Sequence, residues 1–211
     1  MRERSKRQAG ERPDWLLAAR LGARNGLWFT AVYAGADAFT ACHSWRVRVD
    51  LPIEQAIPFV PAMTLAYLSI YALILLAPLV LRSPAQLRSL ACDHAWIITL
   101  AGIGFLLLPA ELNYPPPGQL GIWSALFNFA DRVNLTYNLV PSLHVALAVA
   151  CVRHYVVRAG LSLRVALWSW AGLIALSTLL THQHHLLDVV TGWGLALVVT
   201  RHSWRLPVAR E

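Results

Sequence analysis

Residues 141–157 read PSLHVALAVACVRHYVV, an apolar run whose polar side chains lie mainly at its two ends. A helix needs about 20 apolar residues to cross roughly 30 Å of hydrocarbon, so neighbouring residues must extend the shorter runs. Five other stretches have the same character: Leu27–Trp45, Phe59–Leu81, His94–Leu108, Val165–Thr181 and His184–Thr200. The sequence therefore predicts an all-α fold, a six-span transmembrane helical bundle.

The composition excludes an ordinary water-soluble domain. Of the 211 residues, 57% are apolar and 14% are charged, whereas soluble domains carry roughly 25% charged residues. Six crossings use about 120 residues, which leaves no room for a separate extramembrane domain. We expect a basic cytoplasmic segment over residues 1–25, the membrane domain over residues 26–204, and a cytoplasmic tail over residues 205–211.

The basic residues predict how the spans are oriented. If the amino terminus is cytoplasmic, 15 of the 18 Lys and Arg residues fall on that side, and Arg46, Arg48 and Arg132 are the three outside. This bias follows the positive-inside rule. We therefore expect an integral protein of the plasma (inner) membrane with both termini cytoplasmic. The net charge of +7 then reports topology, and no nucleic-acid partner is expected. The sequence does not indicate the oligomeric state.

Two histidine-bearing segments fall on the same outer face in this topology. Residues 137–144 read YNLVPSLH and enter the fourth span, and residues 181–188 read THQHHLLD and enter the sixth. Pro141 suits the first turn of a helix, and Ser142 and His144 then lie beside the free N–H groups of that turn. A helix start of this kind binds anions well.

The spacing of His184 and Asp188 suits nucleophilic chemistry. Four residues apart on a helix, they share a face, so the carboxylate can fix one ring nitrogen while the other stays free. A second histidine, His144, can shuttle a proton. This set of groups is what covalent phosphoryl transfer requires.

These motifs resemble those of the membrane type-2 phosphatidic acid phosphatase superfamily. The match is closest to the branch with the inositol phosphorylceramide synthases, whose motifs read Pro-Ser-Leu-His and Ser-Thr…Thr-x-x-His-(aromatic)-x-x-Asp. The corresponding residues here are 141–144 and 177–188. The resemblance covers about residues 106–200 and agrees with six spans.

The resemblance implies a lipid phosphate phosphatase or lipid phosphotransferase whose active site lies within residues 109–144 and 177–188. His184 would attack phosphorus to give a phosphohistidine, Asp188 would orient His184, and His144 would protonate the leaving oxygen. The substrate would be a lipid phosphate, approached from the extracytoplasmic face. No metal or other cofactor is needed for this mechanism.

The chain departs from the family pattern at its cationic positions. Pro109 and Pro116-Pro117 stand where phosphatases of this superfamily carry a Lys and an Arg-Pro pair, and Thr178 stands where they carry an Arg. Losing even one preorganised donor can cost about 10²–10³ in rate. We expect substitutes from the backbone N–H groups at residues 142–144, the hydroxyl of Ser142, the amide of Asn138, a protonated His182 or His185, and Arg132. The predicted substrate-binding residues are Asn138, Ser142, Ser177, Thr178, His182 and Arg132.

Three alternatives remain at this stage. The chain could be a non-catalytic lipid-binding relative, for which the missing cations are the best support. His144 and His184 could instead ligate a haem. A third alternative is a metal site formed by His182, His184, His185 and Asp188, with His144 as a further candidate ligand, although adjacent histidines on a helix point about 100° apart.

Two further features predict packing within the bundle. Asp37 lies in the middle of the first span, where a carboxylate is costly, so we expect it to face the bundle and meet a polar partner. Gly192 and Gly194 are expected to let the sixth span pack closely against a neighbour.

Overall fold

The computed structural model describes residues 13–201, and these fold into helices joined by loops and short 3-10 turns. No strand occurs in this range; a single bridge joins Val47 and Ala110. The all-α prediction is therefore confirmed. In chain order the helices are α1 (Trp15–Ala41), α2 (Thr64–Leu75), α3 (Ala77–Val80), α4 (Pro84–Leu107), α5 (Ser124–Val133), α6 (Leu143–Tyr155), α7 (Leu161–Leu180) and α8 (Leu186–Thr200).

Helix α6 forms the centre of the bundle. Its residues from Val145 to Val152 are all buried, and it packs against α4, α7 and α8. Alanine at positions 146, 148 and 150 lets neighbouring helices approach closely. Around this core, α1 packs along α4, and α2 packs along α7.

Two helices in the described range, Pro84–Leu107 and Leu161–Leu180, are long and apolar enough to cross a membrane. Large apolar side chains are also exposed on the outside of the bundle, among them Leu27, Leu75 and Val190. Exposed apolar surface of this extent is unusual for a soluble protein. Length and composition therefore support membrane association for these two helices.

The first helix begins earlier than the hydropathy of the sequence predicts. Helix α1 starts at Trp15 rather than near Leu27 and ends at Ala41 rather than Trp45. The Asp14 carboxylate accepts a hydrogen bond from Leu17 N at 2.9 Å and caps this start. The helix therefore continues into the polar segment predicted over residues 1–25, because helix formation depends on caps and propensity as well as on hydropathy. Residues 1–12 and the predicted tail lie outside the described residues.

Helix α4 also begins ahead of its predicted apolar run at His94. Ser83 accepts from Gln86 N at 3.2 Å, the Gln86 side chain accepts from Ser83 N at 3.3 Å, and Pro84 occupies the first helical position. This capping box is a standard helix start.

The predicted second span, Phe59–Leu81, is divided in the structure. It comprises a 3-10 turn at Pro61–Met63, then α2 and α3, with the break at Leu76. Pro78 accounts for the break because it lacks an N–H and its ring clashes with the preceding turn.

His144, at the start of α6, and His184, in the turn before α8, lie at one end of the bundle, which we call the histidine end. Asn25 contacts Ala91, and Trp28 contacts Thr99, so α1 and α4 run parallel toward it. Two long loops, residues 42–63 and 108–142, cover this end. The second loop contains the short helix α5.

Candidate active site

His184 lies in the turn between α7 and α8, and its ring is paired with Asp188. The Nδ1 atom of His184 is 3.2 Å from Asp188 Oδ2, which also accepts from His185 N at 2.8 Å. Both side chains are buried. The expectation that the pair lies on one helix face needs correction, because α8 begins at Leu186 and His184 precedes it. Asp188 reaches back from the first turn of α8, and this leaves Nε2 of His184 free of that contact.

His144 is the second residue of α6 and packs against α2. Its Nε2 atom lies 3.0 Å from the carbonyl oxygen of Tyr67, and its ring stacks on that of Tyr67 at 3.8 Å between centroids. A carbonyl only accepts hydrogen bonds, so Nε2 carries a proton and Nδ1 is the basic atom of the neutral ring. His144 therefore has one ring nitrogen anchored and the other available for proton transfer.

The start of α6 is fixed against the start of α8. Pro141 lies one residue before the helix cap rather than in the first turn as predicted, and Ser142 is the cap, accepting from Val145 N at 3.4 Å. Ser142 N in turn donates to Asp188 O at 2.9 Å. A Cβ on Gly192 would lie 2.4 Å from Ser142 O, whereas one on Gly194 would have no neighbour within 4 Å. Close packing is therefore found at Gly192 and not at Gly194.

Ser177 and Thr178 are buried near the end of α7, and their hydroxyls donate to their own helix. Ser177 Oγ donates to Ile174 O at 2.6 Å, and Thr178 Oγ1 donates to Ala175 O at 2.8 Å. The Thr178 carbonyl accepts from His184 N at 3.2 Å. Thr178 therefore holds the turn that carries His184 through its carbonyl. The hydroxyl protons of Ser177 and Thr178 point to the backbone of their own helix.

Asn138 and Asp37 hold the loop before α6 against α1. Asn138 Nδ2 donates to Tyr33 O at 2.6 Å, while its Oδ1 is buried without a hydrogen-bond partner among the described residues. Asp37 Oδ1 accepts from Tyr137 N at 3.0 Å. The polar partner expected for Asp37 is thus the backbone N–H of Tyr137, in the loop before α6.

The two remaining substrate-binding candidates lie in different environments. His182 has a φ of 53°, stacks on Tyr114 at 4.1 Å between ring centroids, and places Nε2 3.0 Å from Ile57 O. Arg132 is exposed in the last turn of α5. The structure therefore brings His144, His184 and Asp188 into one region, holds His182 against the loops, and leaves Arg132 at the surface.

One buried carboxylate at the histidine end was missed by the sequence analysis. Glu54 lies in the 3-10 turn Pro52–Ala56 and is fully buried. Its carboxylate bonds His185 Nδ1 and accepts from Leu186 N at 3.1 Å. No motif or periodicity marks this loop residue, so only the folded chain brings it to the site.

A cavity of about 570 Å³ ends at the two histidines. Asn134, Asn138, His144 and His184 form its polar end, and the remainder is lined mainly by apolar side chains of α1, α2 and α4. Trp15 and Leu87 lie at the other end of these helices. The volume is typical of a site for a small ligand or cofactor.

The rings of His182, His184 and His185 face different partners, which does not suit a shared metal site. His182 faces Ile57 O, His185 faces Glu54, and only His184 faces Asp188. Among the described residues, no group of three or more His, Cys, Asp or Glu side chains is arranged to hold a metal ion.

Comparison with known proteins gives one match. The sequence model of the PAP2 superfamily matches residues 43–201, which include α2 through α8. No curated protein and no solved structure matches the chain.

Proposed function

We propose, from the premise that this chain belongs to the PAP2 superfamily, that it is an integral membrane enzyme acting on a lipid phosphate through a phosphohistidine at His184. Members of the superfamily are phosphatases, so a phosphate-bearing substrate follows from membership. The observation that carries the lipid part of the proposal is the cavity, because its polar end holds His144 and His184 while the rest is mainly apolar. A lipid phosphate has the same division between headgroup and tail.

The proposed reaction has two phosphoryl transfers. His184 Nε2 attacks phosphorus and the bond from phosphorus to the leaving oxygen breaks. His144 Nδ1 first takes a proton from the phosphate group of the substrate and then gives that proton to the leaving oxygen. Water or the hydroxyl of a second molecule then attacks the phosphohistidine and loses its proton to His144. Asp188 holds the Nδ1 atom of His184 throughout and stabilises the positive charge that develops on its ring.

Backbone N–H groups are the best candidates to replace the missing cations at residues 109, 116–117 and 178. Leu143 and His144 open α6, and the first N–H groups of a helix have no acceptor within it. Donors fixed in this way stabilise developing negative charge without reorganisation. We propose that they, rather than Arg132, contact the transferred phosphoryl group.

We further propose six spans with both termini cytoplasmic and the histidine end outside. Charge bias supports the orientation, and the exposed apolar side chains support the contact with lipid. Helix α6 has 13 residues and is about 20 Å long, which is short for a span. Because α6 is buried among other helices, its ends need not reach the lipid interfaces.

The test is a phosphate-release assay on a panel of lipid phosphates with purified full-length protein, with lipid products followed by mass spectrometry. We expect release, or transfer to an added hydroxyl acceptor, together with an acid-labile phosphoryl label on the protein. Both should disappear in His184→Ala and persist in His43→Ala, a histidine in the loop after α1. Full turnover in His184→Ala would refute the phosphohistidine.

The panel also separates the alternatives. Phosphate release without a new lipid indicates a hydrolase, and a new headgroup-bearing lipid indicates a phosphotransferase. If wild-type protein forms neither product and no label, the non-catalytic relative becomes the better description. A red colour on purification would instead favour haem bound by His144 and His184.

A further inference from the structure

Glu54 and His185 form a buried pair beside the proposed nucleophile. Both side chains are inaccessible to solvent, and they lie 131 residues apart in sequence. One carboxylate oxygen of Glu54 contacts His185 Nδ1, and the other accepts from Leu186 N at 3.1 Å. Burying a carboxylate is costly unless its lone pairs are satisfied, and here both oxygens have donors.

The hydrogen bonds define the protonation state of this pair. His185 Nε2 accepts from Asn113 N at 3.2 Å, and a backbone N–H can only donate, so the proton of the ring lies on Nδ1 and points to Glu54. The Nδ1–H of His185 and the N–H of Leu186 thus both donate to the Glu54 carboxylate. With Nδ1 donating and Nε2 accepting, the His185 ring carries a single ring proton.

Tyr114 links the same carboxylate to the backbone of His184. Its hydroxyl lies 3.4 Å from Glu54 Oε2 and 3.3 Å from His184 O, and its ring stacks on His185 at 4.7 Å between centroids. Burial, and then the Glu54 carboxylate, raise the pKa of the Tyr114 hydroxyl above its ordinary value. Tyr114 therefore stays protonated and remains a donor.

These contacts converge on the peptide that carries the nucleophile. The carbonyl of His184, the ring of His185 and the N–H of Leu186 are all held by Glu54 or Tyr114. The N–H of His185 also holds Asp188 Oδ2, the atom that pairs with the His184 ring. A shift of His185 would therefore move both the nucleophile and its carboxylate partner.

We infer that Glu54 and His185 are positioning residues that fix the direction of the His184 ring, with Tyr114 as their link to the His184 carbonyl. The inference rests on the proposed function of His184. Neither Glu54 nor His185 lines the cavity, so they act through His184 and Asp188 and not on the substrate. The positioning should therefore affect the chemical step more than lipid binding.

The chain offers a matched control. Asp93, which is buried, and His154, which is partly buried, form a second carboxylate–histidine pair between α4 and α6, with 2.8 Å between Oδ2 and Nε2. His154 lies ten residues after His144 on the same helix, which is about 15 Å along its axis. Asp93→Asn therefore perturbs a similar pair away from the site.

The experiment compares Glu54→Gln with Asp93→Asn in full-length protein in lipid nanodiscs. The side-chain amide of glutamine has one acceptor oxygen and one NH₂ donor. This NH₂ group must therefore face another donor, either His185 Nδ1–H or Leu186 N–H. We expect kcat per folded molecule to fall about 10²-fold with KM within about twofold, because Glu54 does not line the cavity. Asp93→Asn should lower the melting temperature and leave kcat per folded molecule within about threefold. Equal kcat losses in the two variants, or an unchanged kcat in Glu54→Gln, would overturn the inference.

Two milder variants keep the inference testable if Glu54→Gln does not fold. Glu54→Asp retains the charge and the acceptors, and should recover part of the lost kcat. Tyr114→Phe removes only the hydroxyl and should lower kcat roughly fivefold without a change in KM. A KM effect alone in Tyr114→Phe would contradict a positioning role.

A spectroscopic measurement separates failure of this inference from failure of the proposed function. In wild-type protein with ¹⁵N-labelled histidine, we expect a neutral His185 protonated at Nδ1, and the His184 signals should shift in Glu54→Gln but not in Asp93→Asn. If the wild type is inactive but the His184 signals still shift in Glu54→Gln, the proposed function is wrong and the positioning role of Glu54 and His185 is supported. If the wild type is active and these signals do not shift, the positioning role is wrong.

Discussion

Gly192→Ala is the sharpest test of how the two histidine-bearing helices must pack. A Cβ at position 192 would lie 2.4 Å from Ser142 O and 3.2 Å from Ser142 C and N, whereas ordinary contact begins at 3.4 Å. The obstructing atoms are backbone, so no side chain can rotate away. The starts of α6 and α8 must therefore separate by about 1 Å, the difference between 3.4 and 2.4 Å.

This displacement acts directly on the proposed chemistry because α6 carries His144, and α8 carries Asp188. A misplacement of about 1 Å between reacting groups can cost about 10²-fold in rate. Overpacking costs about 1–3 kcal/mol of stability, and replacing glycine by alanine in a helix returns about 1 kcal/mol. We therefore expect a large loss of kcat with a stability loss of at most about 2 kcal/mol.

Gly194→Ala is the matched control, two residues along the same helix. Its Cβ would meet nothing within 4 Å, so it should raise stability by about 1 kcal/mol and leave kcat unchanged. The assay is lipid phosphate turnover by detergent-purified protein, with melting temperature measured on the same samples. If Gly192→Ala keeps the wild-type kcat and melts as high as Gly194→Ala, the requirement for close packing at Ser142 is wrong.

Three further predictions concern α4, the cavity and the orientation. Gly104→Ala would place a Cβ 2.7 Å from Pro141 Cδ and 2.9 Å from Val140 O. Because this clash should shift the start of α6, we expect kcat to fall by about tenfold or more. An unchanged kcat in steady-state kinetics would contradict this prediction. Gly26→Leu adds a side chain to a cavity-lining position with open space around it. It should lower kcat/KM for long-chain substrates more than for short-chain ones, and a uniform loss across chain lengths would argue against a tail in this cavity. Tags on both termini should resist protease added outside intact spheroplasts, since the charge bias predicts that both are cytoplasmic; cleavage of only one tag is incompatible with six spans.

The helical class and the local parts of the site were predictable because they depend on short-range patterns. Apolar runs indicate helices directly, and His184 and Asp188 are close enough in sequence for one turn to join them. The boundaries were less predictable. Helix α1 extends back to Trp15 because Asp14 caps it, and hydropathy does not register a cap.

The substrate-binding set was harder to predict from the sequence. Ser177, Thr178 and Asn138 carry the right polar groups for binding a substrate, but their hydrogen-bond donors are directed to backbone carbonyls. A motif gives the type of side chain at a position and not the direction in which its donor points. That direction depends on which carbonyl the folded chain brings nearby.

By itself, the sequence determined an all-helical chain with apolar helices and a histidine with a carboxylate four residues later, because these features repeat or involve residues close together in the chain. Only the tertiary structure decided that Glu54 meets His185, that Asp37 meets Tyr137 N, and that an apolar cavity ends at His144 and His184. The two hydrogen bonds join residues 131 and 100 positions apart in the chain, and no local periodicity encodes them. They arise when α6 is enclosed by its neighbours and the two long loops close over the histidine end.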